Sequence, residues 1–207
     1  MPAPRTRRQI QAEETRRVIL ATARKRFARD GYAATSLKAI AADAGVSVQT
    51  LYDSVGGKAD LVRSLADLVD EEANIAEISG RLGTERDPVE VARIPAQVNR
   101  RLMERCGDIV RASIAGYYND PGLIPVAEDG ATRHRAGSAA VAAHLERLGA
   151  LRSGLDVEAA KLTIAAIADH RLSIVLADDY GLSLDEIESW ISDTIAQVVL
   201  EQPGSRS

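Results

Sequence analysis

The sequence lacks the marks of a secreted or membrane-spanning chain. Its 207 residues include a single cysteine, Cys106, so no internal disulfide can form, as expected in a reducing compartment. No uninterrupted apolar run approaches the roughly 20 residues that a membrane-spanning helix needs. The arginine-rich start is not followed by the apolar core of a secretory signal. We therefore expect a cytoplasmic protein that does not enter a membrane.

Patterns typical of β-strands are missing as well. No strictly alternating run of β-branched residues occurs, whereas alanine is abundant, and together these features favour helix throughout. The sequence therefore predicts an all-α fold without internal repeats. Apart from two short helices described below, the helices are expected over residues 11–30, 58–78, 89–118, 125–148, 156–178 and 183–200, with Pro95 and Gly130 as candidate break points.

Signatures of an enzyme are also absent. His134, His144 and His170 do not have the spacing of metal ligands. No serine or cysteine lies in a recognisable nucleophile motif, and no glycine-rich phosphate loop occurs. A lone cysteine such as Cys106 could be a redox sensor, although inert packing is the commoner role. The sequence thus predicts neither an enzyme nor a site for a metal or cofactor.

Charge is distributed unevenly along the chain. Residues 1–60 carry 11 lysines and arginines against 6 acidic residues, whereas the remainder carries 15 against 24. A basic segment beside an acidic one suits a module that contacts a polyanion next to one that does not. The alternative is that the arginine-rich helices are simply well solvated.

A basic arm is predicted at the N-terminus, where residues 1–10 are expected to be disordered. Its prolines and arginines are Pro2, Pro4, Arg5, Arg7 and Arg8. Such arms can enter the minor groove of DNA. A flexible end without a role is the open alternative.

The most informative stretch is residues 35–58, which read TSLKAIAADAGVSVQTLYDSVGGK. Thr35 and Ser36 are N-cap types, and Ser47 is a second candidate cap. Between these caps, apolar residues at i, i+3 and i+4 give a first short helix one buried face. Gly45 can adopt the positive φ that a tight reversal requires. The pattern predicts two short helices joined by a turn, which is a helix-turn-helix.

The second helix of this pair is expected from about residue 48 to residue 55, before a pair of glycines. Leu51 and Val55 are four residues apart and should both face inward. The outer face is then left to Val48, Gln49, Thr50 and Tyr52. A helix exposed in this way is the element that a helix-turn-helix inserts into the major groove of DNA.

The same residues resemble the TetR family of bacterial transcription regulators. The family pattern is a first helix that ends in an aromatic residue and a glycine, then T-S-x-x-x-I-A, A-G-V-S-x-x-T-L-Y and a lysine six residues after the tyrosine. The match covers roughly residues 12–65. The residues that carry it are Phe27, Gly31, Tyr32, Thr35, Ser36, Ile40, Ala41, Ala44, Gly45, Val46, Ser47, Thr50, Leu51, Tyr52 and Lys58.

The resemblance implies a three-helix DNA-binding domain over residues 11–57. A helical ligand-binding and dimerisation domain would follow over residues 58–207, with residues 58–78 as the connecting helix. A protein of this type binds double-stranded operator DNA as a homodimer, most often as a repressor. A small-molecule effector bound in the C-terminal domain then releases it from the DNA.

Two sets of DNA contacts follow from the motif and the resemblance. Hydroxyls and amines near helix N-termini suit phosphate oxygens, and the residues expected there are Thr35, Ser36, Lys38, Ser47, Tyr52 and Lys58. Base edges are expected to meet Val48, Gln49 and Thr50. Glutamine can hydrogen-bond a base at two atoms, commonly adenine, and the methyl groups can touch a thymine methyl. The alternatives are that Ser36 and Ser47 only cap helices and that Tyr52 is partly core.

Three residues depart from the family pattern. Asp53, Ser54 and Val55 stand where the family usually has aromatic residues or histidine. The variant Y-x-x-V-G-x-K resembles an actinobacterial subgroup, as do the segments RHRAG at 133–137 and LERLGALR at 145–152 more weakly. The fold prediction is unaffected, but Asp53 leaves the base preference open. A ligand-binding or carrier protein with a degenerate helix-turn-helix remains the alternative function.

The last two predicted helices are more apolar than one buried face requires. In the TetR family this pair of helices forms a four-helix dimer interface, so the surplus suggests a partner helix pair. The residues expected in the interface are Leu172, Val175, Leu176, Ile187, Trp190, Ile191, Ile195 and Val198. The alternative is that both helices are buried within a thick monomer.

The resemblance also implies a cavity among the middle helices that holds the small molecule. The candidate lining residues are Met103, Cys106, Val110, Tyr117, Arg133, His134, Ile167, His170 and Arg171. Met103, Val110 and Ile167 could equally be plain core. His170 and Arg171 could instead form hydrogen bonds in a dimer interface. A moderately apolar ligand with a polar group would suit this set.

Overall fold

A computed structural model describes residues 6–201, and this part of the chain is helical without a β-strand. A single antiparallel bridge joins Leu151 and Leu200. The all-α prediction is therefore confirmed. The α-helices are α1 (Arg7–Ala34), α2 (Leu37–Asp43), α3 (Val48–Ser54), α4 (Lys58–Ala66), α5 (Val69–Ala73), α6 (Ile75–Gly80), α7 (Pro88–Tyr117), α8 (Ile124–Arg147), α9 (Val157–Ile167), α10 (His170–Asp178) and α11 (Leu184–Val199). None of the helices in this range is long and apolar enough to cross a membrane.

Helix α1 begins four residues earlier than predicted. Thr6 and Gln9 form a capping box, in which the Gln9 amide donates to Thr6 Oγ1 and the Thr6 amide donates to Gln9 Oε1. Residues 7–10 are therefore helical, and the predicted disordered arm is wrong for them. Pro2, Pro4 and Arg5 lie outside the described residues. Near its other end α1 is interrupted at Gly31, whose φ of 77° supports the predicted stop after Asp30.

The chain divides into two compact units. Among the described residues, the first unit contains 6–69 together with 108–127, and the second unit contains 70–107 and 128–201. This division differs from the predicted boundary after residue 57. Helix α4 packs against α1 and buries Leu61, Val62 and Leu65 completely or nearly so, which makes α4 part of the first unit.

The core of the first unit forms where α1, α2, α3 and α4 pack together. Its largest buried side chains come from one face of each helix, because residues spaced by three or four positions share a helical face. They include Ile19, Phe27, Ile40, Leu51 and Leu61, all at most 5% exposed. The rings of Phe27 and Tyr32 lie 5.6 Å apart. Burial of these side chains fixes the orientation of α3 relative to α1.

Within the first unit, polar contacts join the segment 108–127 to α1. The Tyr32 hydroxyl donates a hydrogen bond to Asp120, and burial together with this bond raises the pKa of Tyr32. Arg24 forms a bidentate ion pair with Asp108, with a shortest distance of 2.6 Å from Nε to Oδ2. At Gly116, an added Cβ would lie 2.0 Å from Leu123 Cδ1, so a side chain at this position would require Leu123 to move.

The core of the second unit is built from α7, α8, α9 and α11. The cluster consists of aliphatic side chains contributed by each helix. Its members include Val91, Val141, Leu145, Ile164, Ile187, Ile191, Ile195 and Val199. Helix α11 starts at a capping box of Ser183 and Glu186, as the sequence predicts.

The helix predicted over 156–178 is broken into α9 and α10. Asp169 caps α10, because its carboxylate accepts from the Arg171 amide at 2.8 Å. The carbonyls at the end of α9 find side-chain donors, with His134 Nε2 at 2.8 Å from Ala165 O and Asn99 Nδ2 at 2.8 Å from Ala168 O. The break is therefore stabilised by partners distant in sequence.

Asn99 links this break to α10 through three hydrogen bonds. Besides the Ala168 carbonyl, its Nδ2 lies 3.1 Å from His170 Nδ1, and its Oδ1 accepts from the Ser173 hydroxyl at 2.8 Å. Asn99 is 1% exposed and Ser173 is fully buried. Because the second Nδ2 hydrogen is directed at His170 Nδ1, that nitrogen is the acceptor and the neutral ring carries its proton on Nε2.

The burial of His170 predicts a loss of stability in mild acid. Burial, with a smaller contribution from nearby His134, lowers the pKa of His170 to about 4, against the opposing effect of Asp169. The unfolded chain takes up this proton near pH 6.5, so stability is full above that pH and is lost as the pH falls towards 4. We expect a loss of about 3 kcal/mol across this window, measured by urea denaturation. The variant His170→Asn should flatten the dependence, and an unchanged slope would contradict this assignment.

Three other predicted helices differ in detail. Residues 58–78 form α4, α5 and part of α6 instead of one helix, and Asn74 between the last two has a φ of 49°. Helix α7 runs through Pro95 but leaves helical geometry at Cys106, where φ is −133°. Helix α8 shows no break at Gly130.

Candidate nucleic-acid interface

Helices α2 and α3 form the predicted helix-turn-helix, and each begins at a serine cap. Ser36 Oγ accepts from the Ala39 amide at 3.2 Å, and Ser47 Oγ accepts from the Thr50 amide at 3.0 Å. Between them Gly45 has a φ of 69°, a conformation that L side chains rarely adopt. The predicted caps and the glycine turn are confirmed in this arrangement.

One face of α3 is exposed and carries varied hydrogen-bonding groups. Gln49 and Thr50 are exposed, Val48 is 38% exposed and Tyr52 is 50% exposed, whereas Leu51 is buried in the core. The Ser47 and Thr50 hydroxyls lie 2.8 Å apart at the start of the helix. This face combines methyl groups, hydroxyls, an amide and a phenol, which are groups that can contact base edges and phosphates.

Thr35 does not reach this surface through its side chain. It is 3% exposed, and its hydroxyl donates to the Gly31 carbonyl at 2.8 Å. The predicted phosphate contact by the Thr35 hydroxyl is therefore wrong. The physical reason is that the carbonyl freed where Gly31 interrupts α1 needs a donor, and Thr35 supplies it. Ser36 and Lys38, in contrast, are exposed.

Lys58 is half-buried and held by contacts inside the first unit. Its Nζ lies 4.2 Å from the centre of the Tyr32 ring and donates to the Ala33 carbonyl at 3.3 Å. Burial lowers the pKa of Lys58, although the nearby Asp120 carboxylate opposes the shift. A cation over an aromatic face is stabilised by the ring quadrupole. Lys58 thus has a structural role beside any contact with phosphate.

Two contacts of α3 are absent from the sequence-based prediction. Arg16 on α1 donates to the Ser54 carbonyl at 2.8 Å, which satisfies an end of α3 where carbonyls lack helical partners. On the exposed face, Gln49 Nε2 donates to Asp53 Oδ1 at 2.8 Å. The spacing of Gln49 and Asp53 by four residues could have indicated the second contact. No local signal points to the first, because the two residues are 38 positions apart.

The predicted ligand-lining residues fall in both units. Val110 and Tyr117 lie in the first unit, and the others lie in the second. Within the second unit, Met103 and Cys106 are buried, and Ile167 packs against the apolar core. His134 and His170 are brought together, with ring centres 5.5 Å apart.

The two arginines of the predicted set face solvent. Arg133 pairs with Asp70 at 2.7 Å, and Arg171 pairs with Asp169 at 2.6 Å. A separate polar cleft of about 300 Å³ occurs in the second unit. It is lined by Glu77, Ile78, Arg81, Gln97, Arg100, Arg101 and Glu188, none of which belongs to the predicted set.

The predicted dimer residues divide into two groups. Ile187, Ile191 and Ile195 are at most 2% exposed and belong to the core of the second unit, so their assignment to an interface is wrong. The reason is geometric, because this i, i+4 stripe of α11 faces α9. Val175 and Trp190 are each 41% exposed, while Leu172, Leu176 and Val198 are half-buried.

Leu162 on α9 belongs with the exposed apolar residues but was missed. It is 71% exposed, although its helix is otherwise among the most apolar of the chain. An unbroken apolar pattern does not tell which side faces the core, so nothing in the pattern singled out Leu162.

Comparison with known proteins gives a family match for one segment of the chain. A family model described as bacterial regulatory proteins, tetR family, matches residues 19–65, which include α2, the turn and α3. No curated protein matches the sequence significantly. The finer assignment to an actinobacterial subgroup stays a prediction.

Solved structures share the fold over almost the whole chain. SmeT in complex with triclosan has 19% sequence identity and a TM-score of 0.71, covering 92% of this chain and 93% of that one. A transcriptional regulator from Saccharomonospora viridis in complex with choline has 22% identity and a TM-score of 0.71, covering 92% and 100%. NalD from Pseudomonas aeruginosa, the secondary repressor of the MexAB-OprM multidrug efflux pump, has 19% identity and a TM-score of 0.64, covering 92% and 98%. Residues 19–65 thus match the tetR family of bacterial regulatory proteins, and the chain shares the helical fold of these solved structures.

Proposed function

We propose that the protein is a transcriptional repressor that binds operator DNA as a homodimer and is released by a small molecule. The observation that carries this proposal is the exposed face of α3, which is formed by Val48, Gln49, Thr50 and Tyr52. Leu51, on the other side of the same helix, is buried in the core. A recognition helix needs such a face, because base edges in the major groove offer donors, acceptors and thymine methyl groups.

Homodimer formation is supported by apolar side chains left exposed on the last helices. Leu162, Val175 and Trp190 are large, apolar and 41–71% exposed. Aromatic anchors of this kind are enriched in interfaces, where burial of apolar area drives association. A second copy of the chain would cover them and supply a second α3. Two recognition helices could then contact half-sites about one helical turn of DNA apart, or a multiple of it.

The ligand response is proposed by analogy with the similar proteins. SmeT is described with triclosan and the Saccharomonospora viridis regulator with choline. A ligand can shift the DNA-bound equilibrium only by its difference in affinity for the two states of the protein. For this chain we propose a small-molecule effector.

A salt titration of DNA binding tests the proposal, with Lys38 as the probe. Lys38 is exposed on α2, so we expect Lys38→Ala to weaken binding to every duplex. The slope of log affinity against log salt should become less steep by about one unit, because one phosphate contact is lost. Binding would be measured on operator duplexes selected from a random library and from the DNA upstream of the gene.

The matched control is Lys161→Ala, which removes the same charge from the second unit, where Lys161 pairs with Glu158. This variant should leave the salt slope unchanged. If the wild-type protein showed no salt-dependent binding to any duplex, the repressor proposal would fail. A ligand-binding or carrier protein with a degenerate helix-turn-helix would then be the better description.

A further inference from the structure

The side chains of Gln49 and Asp53 are joined on the exposed face of α3. Gln49 Nε2 donates to Asp53 Oδ1 at 2.8 Å, and the residues are one helical turn apart. Both are exposed, so neither the contact nor the acid is needed to complete the core. An acidic group on a surface proposed to face DNA is electrostatically unfavourable, since it faces a polyanion. Its presence therefore calls for a compensating role in recognition.

We infer that Asp53 is a specificity-determining residue, which orients the Gln49 amide to accept adenine and reject guanine at one position of the operator. The inference rests on the proposed function, because it assumes that α3 enters the major groove. Asp53 acts here as a positioning residue through Gln49, and Gln49 makes the contact with the base.

Counting hydrogen bonds gives the reason for this preference. The glutamine amide has two N–H donors and one carbonyl acceptor. Asp53 accepts a hydrogen bond from one of these N–H groups, which leaves the Gln49 amide with one donor and one acceptor for the base. Adenine presents a matching pair in the major groove, with N7 as acceptor and N6–H as donor. The engaged amide can therefore still form both hydrogen bonds to adenine.

Guanine presents a different edge, because its N7 and O6 are both acceptors. A free glutamine amide could direct both of its N–H groups towards this edge. With one N–H held by Asp53, guanine receives only one donor, and the Gln49 carbonyl oxygen cannot donate to the other acceptor. The contact with Asp53 thus removes the arrangement of Gln49 that would tolerate guanine.

The carboxylate also fixes which way the amide points. An ionised aspartate only accepts hydrogen bonds, so the nitrogen end of the Gln49 amide, and not the oxygen end, must face Asp53. Without this anchor the amide can flip by half a turn and exchange its donor and acceptor positions. Pre-orientation of a side chain in its bound conformation reduces the entropy lost on binding.

The experiment compares adenine with guanine in a selected operator for four proteins. The operator is selected from a random duplex library with the wild-type chain, and each A·T pair is then replaced by G·C in turn. The wild type should prefer adenine at one position per half-site by about 10-fold or more, a typical value for a bidentate contact. Gln49→Ala should abolish this ratio.

Two substitutions at position 53 separate the hydrogen bond from the charge. Asp53→Ala removes both, so the adenine-to-guanine ratio should fall at least about fivefold, while affinity for unrelated DNA at low salt rises. Asp53→Asn keeps an oxygen acceptor for Gln49 but removes the charge, so most of the ratio should survive with the same rise in affinity. The matched control is Asp67→Ala, which removes an exposed acid of the first unit away from α3 and should leave the ratio unchanged.

Several results would overturn the inference. An unchanged ratio in Asp53→Ala would show that Gln49 needs no partner, and equal losses in Asp53→Ala and Asp53→Asn would assign the effect to charge. A further loss on adding Asp53→Ala to Gln49→Ala would show that Asp53 acts independently of Gln49. If the wild type selects an operator without such an adenine, this inference alone fails. If it selects no operator, the proposed function fails with it.

Discussion

Replacing Trp190 by glutamate is expected to separate the proposed dimer into single chains and to weaken operator binding by about 100-fold or more. The effect is large because the two recognition helices of a dimer are linked. Once one half-site is bound, binding of the second half-site is an intramolecular event. Trp190 is 41% exposed on α11, so its substitution leaves the core stripe of Ile187, Ile191 and Ile195 in place. A glutamate at position 190, buried without a charged partner, would oppose any interface formed there.

The measurement is light scattering coupled to gel filtration, followed by operator binding at one salt concentration. The control is Tyr118→Glu, because Tyr118 is an aromatic residue that is 72% exposed in the first unit. This control should keep both the oligomeric state and the affinity. A Trp190→Glu protein that remained dimeric with the melting behaviour of the wild type would show that the interface lies elsewhere.

Replacing Asn99 by alanine should cost about 2–4 kcal/mol of unfolding free energy. The substitution leaves the Ala168 carbonyl and the Ser173 hydroxyl without the partner that each has in the folded protein. A buried polar group that loses its partner costs about 1–3 kcal/mol, and the site is too deeply buried for bulk water to replace the amide. The break between α9 and α10 should be the first part of the second unit to open.

Urea denaturation measures this loss, and amide hydrogen exchange of residues 168–173 localises it. Gln97→Ala is the matched control, since Gln97 is a carboxamide on the same helix whose oxygen accepts from Arg81 at the surface. We expect that control to change stability by no more than about 0.5 kcal/mol. A small effect of Asn99→Ala would mean that α9 and α10 can rejoin into one helix without the amide.

The predictions from sequence were most accurate where the determinants are local. The caps at Ser36, Ser47 and Ser183 and the turn at Gly45 each depend on residues within four positions, and all are confirmed. The break at Ala168–Asp169 was missed, because its stabilising partners Asn99 and His134 are 31 or more positions away. Apolar periodicity continued across that point and favoured one helix.

The exposure of α3 was predicted well from the sequence, whereas the contacts around it were predicted less well. Exposure of Gln49 and Tyr52 follows from the position of Leu51 on the opposite face. The inward orientation of the Thr35 side chain could not be predicted from its residue type, since a hydroxyl can form a hydrogen bond with a phosphate or with a free backbone carbonyl equally well. In the same way, the apolar residues of α11 gave no indication of which ones face the core and which face outward.

The discontinuous first unit has a practical consequence for protein engineering. A fragment that ended at residue 69 would keep α2 and α3 but would lose Asp120 as the acceptor for Tyr32 and Asp108 as the partner of Arg24. Leu123, which is fully buried, would be lost as well. A chimaera meant to carry the proposed operator preference of this protein should therefore include residues 108–127 along with the N-terminal segment, so it needs three crossover points instead of the single one after residue 69.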